Sequence, residues 1–452
     1  MKKHDKIQSI PNQCLFHAVY IGITIILETK TQKMRHLSIL VLALVAISFT
    51  SCFQDNCTSE YTYTLYEPIY MSPEDMRSAI SLEDPRELEN VGKLYFYSNY
   101  FFVNEIGKGI HIFDNTDSSN PIPFGFLNVP GNYDMAIKNN MMYVDNSLDL
   151  ITIDISNINN PVVVDIDEEV YQMAIYEQGI VLYYKESEQT IEVDCQEVSP
   201  GDIIFLEDGG FARNIDFNLP VLANDAASAG EAGQTGIGGS FARFTINQNH
   251  LYTVDLSSLN TWSLEQCENP QFLTEQSLDW GVETIFAIDD RIFVGSDSGV
   301  FIFDNSNPSS PVFESEFIHA RACDPVFVEG DIAYVTLRNG NQCAGFINQL
   351  DIIDVSDLRN PQLIDSHEMM NPHGLSVKDK IVFLCEGTDG LKIIDATNPN
   401  QVSELKHISD FHAYDIIRLA NNIIMIIGDD GFYQYRFDQN YKLELLSHIP
   451  TI

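Results

Sequence analysis

Basic residues are scarce in this chain: 25 lysines and arginines stand against 65 aspartates and glutamates over 452 residues, a net charge of −40. A field of that sign repels phosphate backbones and anionic lipid surfaces, which argues against nucleic acid as a partner. It suits a soluble surface at high concentration, or a polycationic or metal-ion partner. Apolar residues with convincing helical periodicity are missing, and no apolar run has the roughly 20 residues that span a bilayer. Catalytic motifs are missing as well. His367-Glu368 is followed by Asn371 where a zinc-binding helix needs a second His, and GSDSG places Asp297 where a nucleophile elbow needs Ser. The Gly-rich stretch 230–239 has no Lys-Ser/Thr after it, so it reads as linker and not as a phosphate cradle.

What is present begins with a leader. Met34, Arg35 and His36 precede the apolar stretch 37–49, long enough for a signal sequence and too short to span a membrane. It ends in Thr50-Ser51-Cys52, which resembles the bacterial lipoprotein cleavage signal, with Phe49 replacing the more usual Leu. Cys52 is the expected lipidation site, residues 34–51 the removed signal peptide, and residues 1–33 an over-extended start. The mature chain then keeps 19 basic and 63 acidic residues, a net charge of −44. Residues 52–90 read as a tether, and the membrane is met through the lipid anchor alone. The expected location is the outer membrane, on its periplasmic or its external side.

From residue 91 a single phrase recurs: an apolar strand, a turn with Gly or Asp, a second apolar strand ending in Asp, and a polar turn closing on Pro. Copies include FFVNEIGKGIHIFDNTDSSNP (101–121), FVGSDSGVFIFDNSNPSSP (293–311) and FLCEGTDGLKIIDATNP (383–399). The closing Asp falls at 114, 154, 194, 304, 354 and 395, with Glu265 and Arg436 in the slot of two weaker copies, and most intervals are 39–41 residues. The longer intervals contain insertions, among them the Gly/Ala-rich stretch 207–240. Four strand-length runs per unit, apolar on both faces in segments such as 300–303, must be covered from both sides. Radially packed blades do that, so the expected fold is an all-β propeller, residues 91–452, with about eight four-stranded blades, seven or nine being allowed. The recurring Asp is read as a turn residue that hydrogen-bonds its own backbone, in preference to a calcium ligand.

The phrases GLKIID, DLITID and LDIIDVS resemble the LVIVD repeat, and the order of segments such as FVNEIGKGIHIFDN, VPGNYDMAI and AYVTLRNGNQCAG is similar to that of the LVIVD-repeat propeller lipoproteins of Bacteroidota. That resemblance covers 52–452. It implies a propeller and a lipid anchor, and no catalytic residue, because the family is described only as exported propellers without a defined role.

Outside the leader and Cys52 there are six cysteines, at 57, 195, 267, 323, 343 and 385. In an exported protein these permit disulfides. Cys323 starts an inner strand and Cys343 lies in a loop of the same face, which makes Cys323–Cys343 the expected bridge, with Cys343–Cys385 or free thiols as rivals. Aligned on their inner strands, the units place Lys93, Asp134, Gln172, Arg243, Glu283, Asp324, Gly374 and Asp415 at one position, with His319, His373 and His412 close by. The candidate ligand-binding residues are Asp134, Arg243, Glu283, Asp324, Asp415, His319, His373 and His412, around the mouth of a central channel. Mutual charge compensation at a solvated rim explains the same pattern. The functional expectation is a monomeric, non-catalytic binding or scaffolding propeller whose partner is an unidentified protein or glycan. No cofactor is expected, with a metal ion in the channel left open. The alternative is an enzyme that uses paired carboxylates at the channel mouth on a glycan.

Overall fold

The computed structural model describes residues 58–194, 203–205, 211–213, 235–239, 242–279, 281–296, 298–318, 325–338 and 347–451. The leader, Cys52, His319, Cys323, Asp324 and Cys343 lie outside these residues. The chain divides into two units, Met1–Tyr61 with Ile191–Ser199, and Thr62–Thr190 with Pro200–Ile452. The second holds the propeller.

Seven antiparallel four-stranded units form the ring. Blade 1 comprises Val91–Tyr97, Tyr100–Glu105, Gly109–Asp114 and Ile122–Asn128; blade 2 comprises Met135–Lys138, Met141–Asp145, Leu150–Asp154 and Val162–Asp167. Blade 3 runs from Phe244 to Ser277, blade 4 from Val282 to Ile318, blade 5 from Val326 to Glu368, blade 6 from Leu375 to Ile408 and blade 7 from Asp415 to Pro450. Successive inner strands pack side by side around the ring, and that of blade 7 packs against that of blade 1. The seam is reinforced by Phe101 stacked on Phe432 at 4.1 Å between ring centroids, and by Gln434 Nε2 donating to Asn115 Oδ1 at 2.7 Å.

The apolar-both-faces pattern does what it predicts: Val300, Phe301, Ile302 and Phe303 are all buried. The recurring phrase is a blade's second and third strands. Its closing Asp caps the following turn, with Oδ1 of Asp114, Asp154, Asp304, Asp354 and Asp395 accepting from the N–H two residues on at 2.8–2.9 Å. In blade 3 the slot belongs to Ser263, whose Oγ accepts from Glu265 N at 3.3 Å; in blade 7 Asp438, two residues beyond Arg436, makes the turn bond to Asn440 N at 2.8 Å. Past that turn the register between third and fourth strands slips by one residue in all seven blades. A bulge at that place adds twist to the outermost strand.

The count is therefore seven and not eight. The unit that ends in Asp194 keeps the 40-residue interval but has no Gly, Asp, Asn or Pro between Leu182 and Thr190. Without one the chain runs on as a single 15-residue strand, Ile180–Asp194. It lies beside Thr58–Met71 in a separate sheet completed by Phe211–Arg213 and Ile203–Phe205.

Within the stretch 52–90, read as a tether, the described structure begins at Thr58. A short helix, Pro73–Ser78, starts at Ser72, whose Oγ accepts from Asp75 N at 3.1 Å. Its Met76 is fully buried against Leu148, Ile180 and Leu182, and its Arg77 forks onto Asp149 with two 2.8 Å bonds. Ser81–Glu83 then adds a strand to the outer edge of blade 1. The end of the Gly/Ala-rich insertion adds another, Ile237–Gly238, on the inner edge. Glycine lets the chain pass close there: a Cβ on Gly239 would stand 1.6 Å from an oxygen of Asp415, and one on Gly236 2.1 Å from the Tyr95 ring, so a larger residue would displace those side chains.

Candidate functional site

Because strands alternate in direction, each inner strand starts on the face where the second strand ends and the third begins. This is the face on which the sequence places its candidate residues, and two clusters occupy it.

The first lies between blades 2 and 3. Asp134, immediately before the inner strand of blade 2, is buried. Its Oδ2 accepts from the N–H groups of Arg243 and Phe244, both at 2.7 Å, its Oδ1 accepts from Met135 N, and it pairs with buried Lys93 of blade 1. One carboxylate thereby ties three blades. Asp145, at the end of the second strand, accepts from Tyr133 N and Asp134 N at 2.8 Å and from Asn132 Nδ2 at 3.0 Å. Burial raises its pKa, opposed by the N–H groups of Tyr133 and Asp134.

These bonds frame a cleft of about 240 Å³. Blade 2 contributes Tyr133, Asp134, Asp145 and Ser147, the segment after its outer strand contributes Tyr171, Gln172 and Met173, and blade 3 contributes Arg243, Phe244 and 254–257. Burial is the main cause that pushes the Tyr133 phenol up to about 12, with the nearby Asp145 adding to it. The Tyr133 hydroxyl donates to Leu182 O at 2.9 Å. Arg243 is the sole basic residue of the lining, is half-buried, and makes no ion pair among the described residues.

The second cluster joins blades 5, 6 and 7. His373 is buried with its N–H on Cys385 O at 2.7 Å, and the Arg338 guanidinium lies 3.1 Å from its ring nitrogens. Burial first, then Arg338 and His412, hold its pKa well below the usual histidine value. The His412 ring is 6.4 Å from that of His373 and 4.3 Å from Tyr414, and its Nε2 is 3.5 Å from Asp429, to which the Tyr414 hydroxyl donates at 2.6 Å. Burial lowers the His412 pKa too.

The structure thus brings Asp134 to Arg243, and His373 to His412, in two separate places. Asp415 is buried against Gly239, and Glu283 is half-buried on the inner strand of blade 4. Gln172, aligned with the ring, is not on an inner strand at all; it follows the outer strand of blade 2 and lines the cleft. Tyr133, Asp145 and Tyr171, and in the second cluster Arg338, Tyr414 and Asp429, were missed. Asp145 and Asp429 carried a signal, an acid at or just past the end of a second strand, as Glu105 and Glu386 also are.

Among the described residues no group of three His, Cys, Asp or Glu side chains is arranged to hold a metal ion. Cys267 and Cys385 are free thiols, so the alternative bridge from Cys343 to Cys385 is not formed. The Cys323–Cys343 bridge falls outside the described residues.

No curated protein matches this sequence significantly. Among solved structures the chain is similar to a protein of unknown function from Desulfotomaculum acetoxidans, at 14% identity and a TM-score of 0.45, covering 79% of this chain and 96% of that one. It is similar to the periplasmic gluconolactonase of Pseudomonas aeruginosa, at 8% identity, TM-score 0.46, and 86% and 97% coverage. BamB from Moraxella catarrhalis gives 10% identity, TM-score 0.43, and 82% and 91% coverage. Likenesses this distant bear on neither ligand nor activity. The LVIVD repeat family model matches residues 287–318 and 320–368, which cover blade 4 from the end of its inner strand and blade 5 to the end of its outer strand, so LVIVD repeats form part of this seven-bladed propeller.

Proposed function

We propose that the protein is a non-catalytic binding propeller that seats a small ligand in the cleft between blades 2 and 3, on a body anchored in the cell envelope through Cys52. The observation that carries this reading is the employment of the carboxylates. Asp134 accepts three backbone N–H groups and pairs with Lys93, and Asp145 accepts two N–H groups and an amide. Across the face, Glu386 accepts from Met370 N and Asn371 N and pairs with Lys392 at 2.7 Å. An acid held this way is part of the frame. Glycoside cleavage needs two carboxylates free to exchange protons or attack a sugar; of the three that line the cleft, Asp134 is engaged through both oxygens, Asp145 through Oδ1 and Asp255 through a single turn bond. A concavity with apolar walls and a few convergent polar groups is instead the ordinary form of a binding seat. The anchor and the outer-membrane location rest on the Thr-Ser-Cys leader.

Leu256 lines the cleft and is 37% exposed, so Leu256→Trp fills it from the solvent side. Compounds that raise the melting temperature of the wild type in a small-molecule screen should have no effect on this variant. A compound that stabilises both equally would place the seat elsewhere.

A further inference from the structure

We infer that the molecule seated between blades 2 and 3 carries a single carboxylate, received by the Arg243 guanidinium, on an apolar body packed against Phe244, Val254 and Leu256; this rests on the reading of the cleft as a binding seat. The argument starts from charge. Three acids line the cleft and each already accepts hydrogen bonds: Asp134 through both oxygens, from three N–H groups beside its pairing with Lys93, Asp145 through Oδ1 from Tyr133 N, Asp134 N and Asn132, and Asp255 through Oδ1 from Ser257 N at 2.9 Å. The backbone N–H of Arg243 goes to Asp134; its guanidinium makes no ion pair among the described residues, and its charge is felt across the cleft by Asp145 and Tyr133, where it opposes the rise in pKa that burial causes. In a chain of net charge −40 Arg243 is half-buried with no ion pair among the described residues, a state it shares with Arg418, but Arg418 is stacked on Phe383 and Phe437 whereas Arg243 lines a cleft. A guanidinium presents a planar fork that matches a carboxylate in two parallel bonds, stronger than neutral hydrogen bonds.

The rest of the cleft narrows the class. A phosphate dianion calls for several donors, and the two backbone N–H groups beside Arg243 are already used by Asp134. One fork and no spare amides suit a monoanion. Phe244 and Val254 are buried, and Leu256 and Met173 are partly exposed at the opening, which gives an apolar wall behind the charge. The cleft, about 240 Å³ in volume, is of a size that suits a small aromatic or branched body.

The test uses phenylacetate and its neutral counterpart phenylacetamide, titrated against the intact protein by ligand-observed NMR. The acid should bind, with the amide weaker by about tenfold or more, as expected for loss of a charge-assisted hydrogen bond. R243M should weaken the acid by a similar factor and leave the amide unchanged, because methionine keeps the backbone N–H that Asp134 accepts; R243K should be intermediate, having charge without the fork. L256W should abolish both. Equal binding of acid and amide, both lost in L256W, would overturn the carboxylate and leave the seat standing. Binding of the acid that survives L256W would overturn the seat itself. No binding of the acid to the wild type in the millimolar range overturns the inference, and this arm and the acid–amide comparison need no variant to fold.

Discussion

Two sets of aspartates on the two rims of this propeller use the same chemistry to different ends. On one rim Asp114, Asp154, Asp304, Asp354 and Asp395 each accept an N–H from two residues further along. On the other, Asp134 accepts N–H groups 109 and 110 residues away. The first bond is local and can be repeated in every blade without information from its neighbours, which is why it leaves a period in the sequence. The second has no period and fixes where one blade stands against the next, as Glu329 of blade 5 also does by accepting from Asp379 N and Lys380 N of blade 6. Repetition marks what shapes a blade, and its absence marks what joins blades and leaves room for a cleft.

The sharpest way to break this contrast is to remove one acid from each rim. Asp134→Ala orphans three N–H groups and removes the ion-pair partner that the structure gives buried Lys93, a loss of about 3–5 kcal/mol in urea unfolding. A loss below about 1 kcal/mol for Asp134→Ala would make the two rims equivalent.

Asp167, at the end of the outer strand of blade 2, belongs to neither set. Its Oδ2 is buried with no hydrogen bond, and burial first, then the neighbouring Asp165, raise its pKa to about 6. The folded state therefore holds this proton more tightly than the unfolded chain, whose Asp titrates near ~3.9, so stability falls as pH rises from about 4 through 6 and the cost is complete above that. Asp167→Asn should be more stable than the wild type at pH 7, by about 1 kcal/mol once solvent screening of a half-buried group is allowed for, and should show no gain at pH 3.5. Thermal unfolding at the two pH values decides it; an equal gain at both would mean that charge is not the cause.

These contrasts also explain what could be read from the sequence. The Asp-to-Pro phrase reveals the blades because the turn bond is local, and doubly apolar runs such as 300–303 reveal that both faces are covered. The same period misleads at Asp194, where spacing persists without the turn that would fold Ile180–Asp194 back on itself. Alignment of inner strands put Asp134 and Arg243 on one rim, but gave no distance between blades, so it could not separate their cleft from the cluster of His373 and His412. Tyr133, Tyr171 and Arg338 sit in loops or strand ends with no repeat to point at them. Their role depends on contacts between blades, which a period within one blade does not contain.

The smallest expected effect lies on the repeated rim, and it tests whether the turn aspartates act through hydrogen bonding or through charge. Asp354 accepts from Ser356 N at 2.9 Å, and its hydrogen bonds to the Ser356 hydroxyl and N–H hold its pKa below the usual carboxylate value. With folded pKa below unfolded, any contribution of the charge is present at neutral pH and lost as pH falls below about 4. The group is exposed, so that contribution is screened, and the bond geometry is open to an amide as well as to a carboxylate. Asp354→Asn should therefore match the wild type within about 0.5 kcal/mol, while Asp354→Ala, which has no acceptor, should lose about 0.5–1 kcal/mol. If Asn were as damaging as Ala, charge and not acceptance would govern the turn, and the repeated rim would have to be read as electrostatic after all. If instead both variants unfolded the blade, the local bond would be as decisive as the Asp134 staple, and the distinction between repeated and singular acids would fail from the other side.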